Sequence, residues 1–307
     1  VQIAEVTTDI PSPFAASLLF GYVAEFMYEA DAPLAERRTS VLSLDSGLLS
    51  DLLGQVDLGE LLDPTVVAHV EDELQRLAAS HQAKGLEGVA DLLRELGPLT
   101  SEEVKSRLKD GDATPSYLSE LESSRRALSI LIGGREYWAA IEDMARLRDG
   151  LGIVLPAGLP KTFLGATQTP LRDLFTRYAR THAPFTTGEA ASRFGLGVVV
   201  ANEVLEQLHE QGKVLRGSFG VERRLEAQEP GVTVPVLAQH EWVGEDVFRR
   251  LRLRSLQAAR DATRPVAQQA YVRFLLECQY LVTKGMERVA TQPTGGALEG
   301  VDGVIPV

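Results

Sequence analysis

Leu171, Leu174, Phe175 and Tyr178 stand at i, i+3, i+4 and i+7, the spacing of one buried helical face. Thr186 precedes Glu189 by three residues, so its hydroxyl can cap a second helix while the carboxylate reaches back, a capping box. Gly195 offers the positive φ at which that helix stops. Val200, Val204, Leu205 and Leu208 then form the stripe of a third helix ending near Gly212. Residues 213–219 alternate into a strand, and 239–242 supply its partner. Three helices, a two-stranded wing and a fourth helix over 169–254 are the order of a winged helix-turn-helix, with the third helix in the recognition position.

The pattern occurs once before. Leu86, Val89, Leu92, Leu93 and Leu96 predict a first helix, and Thr100 with Glu103 makes another capping box. Thr114 is expected to cap a helix that has Pro115 at its first position and carries Tyr117, Leu118 and Leu121. Residues 127–132 and 135–138 flank Gly133-Gly134 and predict a hairpin, since paired glycines suit the primed turns that hairpins favour. Leu99-Thr100 after Pro98 aligns with Phe185-Thr186 after Pro184, an offset of 86. Glu136-Tyr137-Trp138 aligns with Glu241-Trp242, and each leads to a Glu-Asp pair, Glu142-Asp143 and Glu245-Asp246, followed by arginines. The larger second offset implies an insertion over 221–238, in the second wing. Tandem duplication accounts for this better than chance.

Upstream, Phe14, Leu18, Leu19, Tyr22, Phe26 and Met27 predict a helix over 13–28. Shorter helices are expected over 45–53 and from Asp63, with Pro64 in the first turn, to about Ala79. After Pro265 a helix over 271–281 precedes a Gly-rich tail, 291–307. The predicted fold class is mainly α with small β-hairpins (α+β), tandem winged-helix modules after an all-α segment. Its domains are 1–82, acidic and all-α; 83–160, the first module; 161–264, the second; and 265–307, the start of a third, truncated module with a tail. The chain opens on Val1 without a methionine, so it is expected to be part of a longer polypeptide.

A content of 44% hydrophobic and 24% charged residues is ordinary for a globular chain and excludes a disordered one. No apolar run approaches the roughly 20 residues of a membrane span, so a cytoplasmic location is expected. The lone cysteine, Cys278, sits beside Phe274, Leu275 and Leu276 and reads as core. The net charge of −12 argues against nucleic acid only if evenly spread. Residues 1–80 hold 14 acids against 3 bases, whereas 161–264 hold 15 bases against 12 acids.

No Gly-rich phosphate loop occurs, for Pro160-Lys161-Thr162 lacks the glycines whose backbone cradles phosphate. The five histidines have no metal-ligand spacing, and no nucleophile elbow is present. Neither a cofactor nor a catalytic residue is expected in the chain. Glu71, Asp72 and Glu73 are consecutive on a helix, fan around it, and read as a solvated face. Arg37 and Arg38, nearly the only bases in the acidic head, read as ion-pair partners there rather than phosphate contacts.

The remaining signal is basic. Arg249, Arg250, Arg252 and Arg254 crowd the helix after the second wing, joined by Arg260 and Arg264, while Arg216, Arg223 and Arg224 lie on the wing. The planar guanidinium suits phosphate because it bonds two oxygens at once. The same arginines serve equally well as partners of Glu245, Asp246 and other acids between modules. The third helix of the second module exposes Asn202, Glu203, Glu206 and Glu210, which repel phosphates in a major groove, so it is not expected to read bases.

Ser12-Pro13-Phe14-Ala15, Leu18-Leu19-Phe20, the run 22–29 and the run 31–38 closely resemble the large helicase-related proteins (Lhr). The likeness continues in Glu60-Leu61-Leu62-Asp63-Pro64, Phe185-Thr186-Thr187 and Arg249-Arg250-Leu251-Arg252. The resemblance implies a superfamily 2 bacterial DNA helicase that translocates 3′ to 5′ on single-stranded DNA with ATP and Mg in its motor core. This chain would be the end of that core and the start of a C-terminal extension of winged-helix modules. Some members are associated with uracil-DNA glycosylase activity, whose site is expected beyond Val307. The implied role is non-catalytic, in DNA repair, with single-stranded or tailed DNA, the parent's other domains and a second copy as partners. A structural or oligomerisation scaffold without DNA affinity is the alternative.

Overall fold

The structure, a computed structural model, describes residues 62–156, 158–221, 235–262 and 267–278. The helices expected over 13–28 and 45–53, Arg37 and Arg38, most of the second wing's insertion and the tail 291–307 lie outside the described residues. The described residues up to Arg260 form one unit and those from Asp261 a second.

In the first unit, helix α1 (Pro64–Leu74) starts under Asp63, whose Oδ1 accepts from the Thr65 amide at 2.8 Å. It stops at Leu74, short of the expected Ala79, because Arg76 turns to φ 58° just beyond. The first module follows as α2 (Gly85–Leu96), α3 (Ser101–Ser106), α4 (Thr114–Ser123), strands β1 (Ala127–Ile132) and β2 (Arg135–Ala140), and α5 (Met144–Leu151). The second comprises α6 (Pro170–Thr181), β3 (Phe185–Thr186), α7 (Thr187–Phe194), α8 (Val198–Glu210), β4 (Val214–Gly217), β5 (Glu241–Gly244) and α9 (Glu245–Ala262). The elements and their order follow the predicted tandem of winged helices.

Both capping boxes form as their spacing dictates: Thr100 with Glu103 and Thr186 with Glu189 each exchange a side-chain and a backbone bond. The hairpin turns on Gly133 (φ 56°) and Gly134 (φ 83°), both left-handed, which fits a primed turn and the Ile132–Arg135 register. Two side chains depart from expectation. Thr114 does not cap α4; its Oγ1 donates to the Gly111 carbonyl at 2.6 Å, closing the preceding 3-10 turn instead. Val200 is 40% exposed, and Ala201 takes its place inside, since 201, 204, 205 and 208 complete the i, i+3, i+4, i+7 set.

The second wing is three-stranded, in the order β3-β5-β4, with Phe185 opposite Trp242 and Arg216 on its other side. The first module repeats this with a single bridge, Leu99 to Trp138. In both modules the tryptophan indole donates to a hydroxyl two residues past that bridge: Trp138 Nε1 to Ser101 at 3.1 Å, Trp242 Nε1 to Thr187 at 2.8 Å. The duplication thus extends to side-chain chemistry.

Packing joins the modules. The largest core sets Ile130, Ile132, Tyr137 and Met144 of the first module against Phe175, Tyr178, Phe194 and Leu205 of the second. One face of the first wing is therefore buried against its neighbour. Helix α1 packs on the second module although the chain enters the first module directly after it, with Val67 and Val70 against Val247, Phe248 and Leu251. In the second unit, α10 (Gln268–Cys278) covers most of the helix expected over 271–281 and exposes Tyr271, Phe274 and Leu275.

Candidate nucleic-acid interface

The predicted arginines fall into separate settings. Arg216, on β4, lies over the Trp242 ring with its guanidinium 5.8 Å from the centroid, and Nη1 donates to Glu206 at 2.8 Å. Its Nη2 stands 3.1 Å from His240 Nε2, and His240 Nδ1 lies 3.0 Å from the Asn202 side-chain oxygen. Burial, then the Arg216 charge, lowers the His240 pKa, which fits a neutral ring donating to Asn202 and accepting from Arg216. Two polar residues of the α8 outer face, Asn202 and Glu206, are thus tied to the wing. Glu203 and Glu210 remain exposed on α8, and α4 exposes Glu120 and Glu122 at the corresponding place in the first module.

On α9, Arg249 pairs within its own helix, with Glu245 at 2.5 Å and Asp246 at 3.6 Å, and its side chain is 61% exposed. Arg250 and Arg254, one turn apart, converge on Glu73 of α1: Arg254 Nη1 donates to Oε2 at 2.8 Å, and Arg250 Nη2 donates to the same oxygen. Glu73 is only 8% exposed, which corrects its reading as part of a solvated face. Burial acts to raise its carboxyl pKa, but the Arg254 hydrogen bond and the charges of Arg254, Arg250 and His69 prevail and lower it. Arg252 and Arg260 also belong to α9, and each has an interaction partner. Arg223, Arg224 and Arg264 lie outside the described residues. The sequence grouped the arginines of α9 as one cluster; the structure brings Arg250 and Arg254 together on a carboxylate and turns Arg249 to solvent.

A polar seam between α1 and the two modules went unforeseen. Arg107 Nη2 donates to Gln75 Oε1 at 2.6 Å, and Gln75 Nε2 donates to the Thr181 carbonyl at 2.6 Å. Gln75 Nε2 also stands 3.3 Å from His182 Nε2, while His182 Nδ1 faces the Tyr178 carbonyl at 2.9 Å and the ring stacks on Tyr178 at 3.7 Å. Burial pulls the His182 pKa down to about 4 and pushes the Tyr178 phenol up. Arg193 reaches from α7 to Glu103 of the first capping box at 2.6 Å, and Arg177 from α6 to the buried Asp143 at 2.6 Å. Isolated polar residues between apolar stripes carry no spacing signal of such long-range pairing. Among the described residues no group of His, Cys, Asp or Glu is placed to hold a metal ion, and no helix is long and apolar enough to cross a membrane.

These features define a protein of tandem winged-helix modules fused through a shared core. Residues 60–166 match the family described as large helicase-related protein, winged-helix domain. Over its full length the chain is 52% identical to the Lhr helicase/uracil glycosylase of Escherichia coli (strain K12), covering 19% of that protein. It is 46% identical over 95% of its length to the Lhr helicase/probable uracil glycosylase of Mycolicibacterium smegmatis, covering 18% of it. The chain belongs to the large helicase-related (Lhr) family and spans about a fifth of the length of these relatives.

Proposed function

We propose that the chain is a non-catalytic tandem winged-helix segment, at the end of the motor core and the start of the C-terminal extension, of an ATP-dependent 3′ to 5′ DNA helicase acting in repair. It contacts single-stranded or tailed DNA through the exposed side of α9 and the second wing, not through the outer face of α8. The observation that carries this reading is the contrast between the two surfaces: α8 offers Glu203 and Glu210, whereas α9 offers Arg249, 61% exposed. Among the described residues Arg249 is held only within its own helix, so it can exchange a surface ion pair of small worth for a phosphate. The names of the relatives, helicases in both cases, support the same assignment.

Binding of labelled single-stranded and tailed DNA to the 307-residue chain, titrated against salt, tests it. Affinity should fall steeply with salt, and Arg249→Glu should weaken binding and reduce the salt slope by about one. Absence of salt-dependent binding by a folded chain removes the DNA part of the proposal. The alternative, a scaffold without DNA affinity, draws support from the Glu73 clip on Arg250 and Arg254, which occupies two of the predicted phosphate ligands. It requires a stable multimer in light scattering.

A further inference from the structure

Strand β1 leaves one edge open. Among the described residues it pairs with β2 alone, while the far side of β2 is bridged by Leu99. The Ile141 amide bonds the Arg126 carbonyl, so in the antiparallel alternation the backbone groups of Ala127, Ser129 and Leu131 point away from β2, along the open edge. The strand reads Ala-Leu-Ser-Ile-Leu-Ile, with no charge and no proline, two of the devices by which proteins blunt an exposed edge.

Beside this edge runs a groove of about 690 Å³, walled on the other side by residues 151–156 and floored by Ile132, Ile153 and Phe194. No backbone hydrogen bond among the described residues joins its two walls. Apolar side chains stand exposed on both rims, Leu131 at 66% and Val154 at 90%. The one ionisable group lining the groove is Glu136, across from Leu131 in the hairpin register; it accepts the Ser129 hydroxyl at 2.5 Å and has no cationic partner among the described residues.

We propose that this groove binds an extended peptide segment, which adds to β1 as a third strand, sets alternate apolar side chains against Ile132 and Ile153, and places a lysine or arginine whose long side chain reaches across Leu131 to Glu136. Main-chain bonds to the open edge supply affinity and the apolar floor supplies selectivity, as in other strand-addition sites. The second wall decides the kind of occupant. A lone strand brings nothing on its outer edge into that space. The β1 edge of a second copy would bring β2 with it into the space that residues 151–156 hold. Charge complementarity decides the basic residue, because Glu136 is the groove's only ionisable lining group.

The probe is a labelled short peptide of alternating Val and Thr with one terminal Lys, followed by fluorescence anisotropy on the full chain. Saturable binding is expected. Leu131→Lys, at an exposed site that the fold does not use, should weaken it by about tenfold or more by placing a charge on the edge. Glu136→Gln should weaken it about threefold, and only for the peptide that carries the lysine. No binding by a chain with native circular dichroism overturns the proposal, as does equal binding of a proline-interrupted control peptide. A concentration-dependent dimer abolished by Leu131→Lys would also overturn it, in favour of a second copy.

Discussion

At His182 burial and ionisation conflict. It sits neutral between the Tyr178 carbonyl and Gln75, with its pKa pulled by burial from 6.5 to about 4. The unfolded chain therefore takes up this proton first as the solution is acidified. Stability contributed here is complete above the ordinary value of 6.5, declines as pH falls towards 4, and levels off below it. The full decline is on the order of 3 kcal/mol. Urea unfolding across that range should show it, and His182→Phe should flatten that part of the profile; an identical decline in the variant would assign the acid loss to other groups. Glu73 is the second residue on which much depends, since one carboxylate oxygen serves two guanidiniums. Glu73→Gln should cost about 2 kcal/mol, less than for a fully buried pair because both arginines keep access to water. If DNA binds along α9, the same variant should bind it more tightly in the anisotropy titration.

Elements were legible wherever a local rule fixed them. Thr100 with Glu103 and Thr186 with Glu189 announce helix starts within four residues, and Gly133-Gly134 announces the hairpin. Where the outcome turned on distant partners, local rules failed: β3 is two residues long and exists because Trp242 pairs with Phe185. Glu73 looked solvated because the arginines that bury it stand more than 170 residues away. The candidate arginines themselves were legible by type, but their division between ion pairing and solvent was not. One close approach between elements was also hidden. Gly195 ends α7 in the left-handed region (φ 63°), and a Cβ there would lie 3.0 Å from the Gly133 amide nitrogen in the first wing. Gly195→Ala should therefore destabilise by about 2 kcal/mol, through left-handed strain plus the contact. Thermal melts should show this loss, whereas the open Gly212, also left-handed, should show only the strain.

For the molecule as a whole, a shared core makes two modules one folding unit. Phe175 is fully buried in contact with Phe194 and within the core that also holds Ile132 and Met144. Phe175→Ala should cost about 3–5 kcal/mol and loosen both modules, although the residue belongs to the second. The two tryptophans stand one in each module, Trp138 and Trp242. Trp138→Phe and Trp242→Phe variants thus give separate optical reports, and their denaturant midpoints should coincide; separated midpoints would show that the modules fold independently.

The clip of Glu73 on Arg250 and Arg254 also closes a circuit. Along the chain, α1 and α9 are separated by the core elements of both modules; through the clip they are direct neighbours. Across that carboxylate, and across Val67 and Val70 against Val247, Phe248 and Leu251, α1 bears on the helix beyond the second wing with no element of the first module between them.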